Sequence, residues 1–315
     1  MKLLIHFVLF AGLMSPCFSQ VLVCPAKNSD ETKLDCPWAG IVRLMDDTAK
    51  KKKPFLPILK KHAPGIVAQL ERDGKDFMLP RLWGSSQNFD ENSKQPIVDE
   101  QVLGALFTLA RSVPARGRVV PAGITHTYGY LFSNLKTPYG YKRARWVQPD
   151  IEKGLGLPDG CLGPKPSSGT LLGNVTYFIG RIAFRDDAHA LQLLERLNAP
   201  AMLTGFDFGG LEIGRLSETA KIAERTVVLR TDIVTFKNPQ KENAALLVYS
   251  VKDSQRPFPQ LISAFPVSAK TADDIMKTAA GSDITIKTRY NAFVLGLSET
   301  PVPGTVEISS ATKTK

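Results

Sequence analysis

Apolar residues recur at helical spacing in the first third of the chain and alternate at strand spacing further on. Pro64 to Asp73 (PGIVAQLERD) sets a proline at the head of an apolar stripe, charges at its end and Gly74 as a stop, which predicts a short helix. Pro96 to Val113 predicts the strongest helix. Val98, Val102, Leu106 and Leu109 form one stripe, and Leu103, Phe107 and Ala110 widen it until most of the surface is apolar, as in a helix buried in a core. Asp186 to Asn198 reads as an amphipathic helix whose acidic start suits the helix dipole. Thr271 to Ala280 reads as another, with Thr271 as cap and Gly281 at its end.

Strand patterns begin beyond Arg118. Ile124 to Phe132 alternates, which places Ile124, His126, Tyr128, Tyr130 and Phe132 on one face of a strand. Thr137-Pro138-Tyr139-Gly140 is turn chemistry, and Tyr141 to Val147 is the expected returning strand of a hairpin. Val175 to Phe184 predicts a further strand, and Thr226 to Phe236, Ala245 to Lys252, Gln260 to Val267 and Asp283 to Leu297 predict an antiparallel meander. The expected class is therefore α+β: an N-terminal helical segment, then a mostly antiparallel β-sheet with a few packed helices. Val21 to Lys53 reads as a polar loop ending in a lysine run, and 301–315 as a frayed polar tail. The glycines at 205, 209, 210 and 214 mark a conceivable boundary near 200–215, but composition does not break there, so one domain over 20–300 is expected.

The N-terminus carries a different signal. Lys2 precedes an apolar stretch from Leu3 to Met14, and Cys17 and Ser19 are small residues two apart. This is the layout of a secretory signal peptide over 1–19, cut after Ser19. The apolar stretch is too short for a comfortable membrane span and no later one reaches that length, so a secreted or periplasmic mature chain without a transmembrane segment is expected. In such a compartment Cys24 and Cys36 are the expected disulfide, with Cys161 as an odd thiol unless it takes either partner instead. Asn174-Val175-Thr176 is a glycosylation sequon.

Charge narrows the partners. The formal net charge is +10, from 40 Lys and Arg against 30 Asp and Glu. A positive field favours an anionic polymer, such as nucleic acid or an acidic cell-wall carbohydrate, or simply keeps the chain soluble. The segment 125–146 concentrates the chemistry: His126, Tyr128, Tyr130, Tyr139, Tyr141, Lys142, Arg143, Arg145 and Trp146. Aromatic faces stack bases or sugars, and guanidinium groups grip phosphates or carboxylates. The leading expectation is thus a binding protein that takes an anionic or sugar-containing ligand through this basic, aromatic hairpin, with Tyr130, Tyr141, Lys142, Arg143, Arg145 and Trp146 as contacts. The first alternative is a secreted hydrolase of phosphodiester or glycosidic bonds, with His126 as acid or base beside Tyr128. The second is a structural or partner-binding envelope protein, favoured if no pocket exists near His126 and the hairpin aromatics prove buried. The other histidines of the mature chain, His62 and His189, have no metal-ligand spacing, no CxxC occurs, and neither metal nor cofactor is expected.

Leu246 to Val267 (LLVYSVKDSQRPFPQLISAFPV) is similar to the strand–turn–strand ending of some secreted endoribonuclease toxins of the barnase and EndoU type, with Ser263, Phe265 and Pro266 as the matching residues. That resemblance implies phosphodiester cleavage. Phe265 stands where a tyrosine would be usual, and no matching pair of histidines accompanies it.

Overall fold

A computed structural model describes residues 37–90, 93–112, 119–137, 140–147, 150–222, 225–238, 241–281 and 304–309. The expected signal peptide, Cys24, Cys36, Tyr139 and the strand expected over 283–297 lie outside the described residues. The chain begins with helices α1 (Pro37–Lys50), α2 (Phe55–His62), α3 (Pro64–Asp73) and α4 (Leu79–Leu82), followed by strand β1 (Ser85–Gln87), helix α5 (Glu100–Leu109) and strand β2 (Val119–Pro121). Helix α6 (Ala122–Ile124) runs on into a π-helical turn over Thr125–Gly129, and the two short strands β3 (Lys136–Thr137) and β4 (Gly140–Tyr141) lead into a 3-10 turn over Lys142–Ala144. Helices α7 (Asp150–Leu155), α8 (Leu171–Ala183), α9 (Ala188–Leu194) and α10 (Ala201–Thr204) precede the long strands β5 (Ile213–Ile222), β6 (Arg225–Asn238), β7 (Lys241–Asp253) and β8 (Gln260–Ser268). Helix α11 (Ala269–Gly281) and strand β9 (Gly304–Ser309) close the described chain.

The protein is α+β. Its main sheet has the order β8-β7-β6-β5-β9 with every neighbouring pair antiparallel. Alternation along the strands gives the sheet two apolar faces. Val234, Leu246, Val248, Leu261 and Ala264 join the core that the helices build around Leu106, Phe178 and Phe184. Val227, Leu229, Leu247, Val251 and Ile262 join Ala272 of α11.

Strand β8 is an edge, and an open edge is a template for unwanted pairing. Two segments cover it. Gly84 N–H donates to Leu261 O at 2.8 Å, Trp83 bridges Leu261, and the Gln260 amide holds the Arg81 and Trp83 carbonyls at 3.3 and 3.2 Å. Further along, the buried His126 ring lies against the Ile262 backbone.

The sequence pattern and the fold agree for several elements. The helix at Pro64–Asp73 forms as expected, the strands expected at Thr226–Phe236, Ala245–Lys252 and Gln260–Val267 lie in β6, β7 and β8, α5 and α9 form within their expected spans, and α11 contains the expected one. Elsewhere they disagree. Val175–Phe184, expected as a strand, lies in helix α8 and its C-cap; Leu171, Leu172, Val175, Phe178, Ile179 and Ile182 together form one helical stripe, but Val175–Phe184 alone is a short apolar run that suits a strand and a buried helix equally. The Thr170 hydroxyl caps this helix by accepting from Gly173 N–H at 2.9 Å. Ile124–Phe132 is likewise helical, with every residue from Ala122 to Ser133 buried. Gly123 makes this possible: a Cβ there would lie 2.8 Å from Cγ of Trp83. The expected polar loop before Lys53 contains α1, and the expected tail contains β9, which pairs with β5.

Candidate functional site

The expected β-hairpin at 125–146 is therefore replaced by a buried helical turn, a two-pair ladder between β3 and β4, and a 3-10 turn. This changes which side chains meet. On a strand His126 and Tyr128 would share a face, whereas on a helix residues two apart point to different sides, and those four apart stack. His126 and Tyr130 do stack, with ring centroids 4.9 Å apart. The 3-10 turn brings Lys142 and Arg145 onto the same aromatic surface. The Arg145 guanidinium lies 4.4 Å from the Tyr130 centroid and 5.3 Å from that of Phe265 on β8, and Lys142 Nζ lies 5.3 Å above Tyr130. The Tyr130 hydroxyl lies beside Ser263 and Arg145, and Tyr249 completes the aromatic wall, 5.3 Å from Phe265.

Four of the expected contacts thus converge: His126, Tyr130, Lys142 and Arg145. Three of them carry basic nitrogen with little to balance it. Burial and the charges of Arg145 and Lys142 push the His126 ring well below its ordinary range, so it is neutral at physiological pH. Burial and Arg145 push Lys142 down to about 7, against a smaller upward pull from Asp90. Asp90 is the acid that acts on this cluster, but it is in ion-pair contact with neither cation, and its own carboxylate accepts from Ser93 N–H at 2.8 Å. Two buried polar atoms have no hydrogen-bond partner here: Nη1 of Arg145 and Nδ1 of His126. The neutral His126 ring thus keeps one nitrogen, Nδ1, without a partner.

The remaining expected residues are placed elsewhere. Arg143 spends its donors on Ser133 O at 3.1 Å and Asn134 Oδ1 at 3.3 Å and lies 4.3 Å from the ring of Tyr141. Trp146 is buried and donates to the His126 carbonyl at 2.7 Å, a group that the π-helical turn releases from its regular partner. Tyr128 leaves the cluster altogether. Its hydroxyl donates to Asp73 Oδ2 at 2.5 Å while the Thr170 hydroxyl donates to Oδ1 at 2.6 Å, and burial lifts Asp73 to about 6.

Asp73 gave no sequence signal, since an acid at a helix end is ordinary. It nevertheless lines two clefts, of about 390 and 530 Å³. Ser263 and Phe265 carried only the ribonuclease-like resemblance and Tyr249 no signal at all; the strand register brings the three together beside Arg145.

Other sequence features resolve into structure. Cys161 is a free, fully buried thiol that burial and Glu152 push up to about 12, which removes the thiolate a nucleophile needs. Asn174 is buried, and its amide donates to Cys161 O and Ser168 O, so the folded chain cannot present the sequon. Asp207 of the glycine-rich segment caps its own turn at Gly209 N–H. Among the described residues no group of acids, histidines and cysteines is arranged to hold a metal, and no helix is long and apolar enough to cross a membrane. Comparison of the chain with protein-family models, curated proteins and solved structures found no match.

Proposed function

We propose that this chain is an exported binding protein that takes an anionic group at the cluster of His126, Lys142 and Arg145. One observation carries the reading: basic side chains gather on an aromatic wall without an ion-paired acid, and Arg145 Nη1 is buried and unpartnered. Uncompensated buried charge is costly, and a sulfate, phosphate or carboxylate would supply both the counter-charge and the missing acceptor. The burial of Tyr128, Tyr130 and Trp146 argues against ring stacking along an extended polymer and for a small anionic group, as on a sugar acid or sugar phosphate. Export rests on the signal-peptide layout of residues 1–19.

Thermal denaturation with added sulfate or phosphate tests this. Wild-type protein should gain stability at anion concentrations where Arg145→Met gains none. An equal response of both proteins, or a response to chloride of the same size, would overturn it.

The hydrolase reading retains one specific support, the unpartnered Nδ1 of a His126 ring held neutral, the form a general base requires. It predicts a phosphodiesterase or glycosidase activity that His126→Gln abolishes.

A further inference from the structure

The cleft of about 390 Å³ on the far side of the α6 turn is a separate place, and its chemistry is different. Its volume falls in the range of roughly 300–1,000 Å³ typical of small-molecule sites. The inner wall is apolar, formed by Trp83, Ile124, Leu172 and Ile262. This wall is held rigidly. Trp83 Nε1–H donates to Thr176 Oγ1 at 2.7 Å, so the indole has no donor left and offers only its ring, and Gly123 lets α6 close directly upon that ring.

The rim is cationic. Arg111 and Arg256 line the cleft and are exposed, and neither has an acidic partner among the described residues. Arg111 follows the end of α5 with a φ of 50°, a left-handed conformation that glycine usually supplies at that place. The acid that lines the cleft, Asp73, is buried with both oxygens engaged by Tyr128 and Thr170. An anionic head is therefore repelled from the Asp73 end and attracted to the rim.

We propose that this cleft binds an amphipathic organic anion, with its apolar body on Trp83, Ile124, Leu172 and Ile262 and its carboxylate or phosphate head held by Arg111 and Arg256. The site does not share a ligand-holding side chain with the cluster at Lys142 and Arg145. Both arginines are exposed, so their replacement leaves the fold intact.

Calorimetric titration of the purified chain with decanoate, decyl phosphate and decanol tests the proposal, with tryptophan fluorescence, to which Trp83 contributes beside Trp38 and Trp146, as a second readout. At least one of the two anions should bind about tenfold or more tightly than decanol, and the paired substitution Arg111→Met with Arg256→Met should weaken that anion by a similar factor. Ser112→Trp, which places a large ring at the cleft, should block binding. Arg145→Met should leave it unchanged, so the fate of this site is read independently of the anion cluster. Equal binding of decanol, full affinity in the double arginine variant, or loss of binding only in Arg145→Met would each overturn the assignment.

Discussion

Arg215 and Arg145 are both guanidinium groups drawn out of water beside the same sheet, and the fold treats them in opposite ways. Arg215 on β5 faces its cross-strand partner Asp232 on β6, which is fully buried. It grips that carboxylate with two bonds, Nε at 2.8 Å and Nη2 at 3.1 Å, donates to the Ala183 carbonyl at 2.9 Å, and contacts Asp186. Arg185 adds a further bond to Asp232 at 2.6 Å. Arg145 has no such acid. Its neighbours are rings, a phenol and another cation, and one of its nitrogens is left unpartnered. A balanced, saturated cluster explains itself as structure, because it ties the sheet to the end of α8. An unbalanced one does not, and the missing counter-charge is what a ligand would bring.

The strongest way to break this contrast is Arg215→Met. Removing one partner of a buried pair leaves Asp232 undercompensated, and a loss of about 3–5 kcal/mol is expected in chemical denaturation. A loss below about 1 kcal/mol would mean that the saturated cluster is not structural after all.

Asp73 carries the comparison over to the opposite charge, since it too is buried with hydroxyl partners and no ion-paired cation. Its carboxyl is raised from 3.8 to about 6, so the folded chain holds this proton more tightly than the unfolded one. Between these values stability falls as pH rises, by roughly 3 kcal/mol at most, and no further above them. Asp73→Asn should flatten this segment of the stability–pH curve and equal or exceed wild type above pH ~6. Unfolding midpoints across the window decide it. A variant that is uniformly weaker, with the slope intact, would assign the slope to another group.

How much of this was legible beforehand follows from where each residue sits. The meander at Thr226–Val267 could be read because its strands alternate between two apolar faces and end in turn chemistry. The helices α8 and α6 could not: Val175–Phe184 without Leu171 and Leu172 is a short apolar run of either kind, and the segment from Ala122 to Ser133, buried on every side, loses the period that separates helix from strand. The error at 124–132 had a consequence for chemistry. It set His126 beside Tyr128, whereas the helix sends Tyr128 to Asp73 and pairs His126 with Tyr130. That Lys142 and Arg145 would gather near His126 was readable from their density in the segment. That Ser263 and Phe265, marked only by the ribonuclease-like ending, would complete the surroundings was not, because those contacts span long separations in sequence and depend on register.

A smaller effect should appear in the pH dependence of anion binding. Sulfate is a suitable probe because it does not itself titrate near neutrality. Lys142 is held at about 7 and faces Arg145, Tyr130, His126 and the more distant Asp90. A bound anion favours the charged amine, so affinity should fall by about tenfold as pH rises from ~6 to ~8. In Lys142→Met that dependence should vanish. A flat profile in the wild type would place the anion elsewhere.

The smallest expected effect is the most diagnostic. Arg145→Met removes a charge that burial disfavours and that repels Lys142, but it also removes ring contacts worth ~0.5–2 kcal/mol. Met can fill much of the vacated space against Tyr130 and Phe265. These contributions oppose one another, so stability should stay within about 1 kcal/mol of wild type, whereas Arg215→Met loses several times that. Lys142 should meanwhile titrate closer to its ordinary 10.5, because burial still depresses it but the Arg145 charge no longer does, and lysine side-chain NMR would register the change. If Arg145→Met instead cost as much as Arg215→Met, then Arg145 would be held as tightly as a saturated pair, and the ground for assigning a ligand to it would disappear.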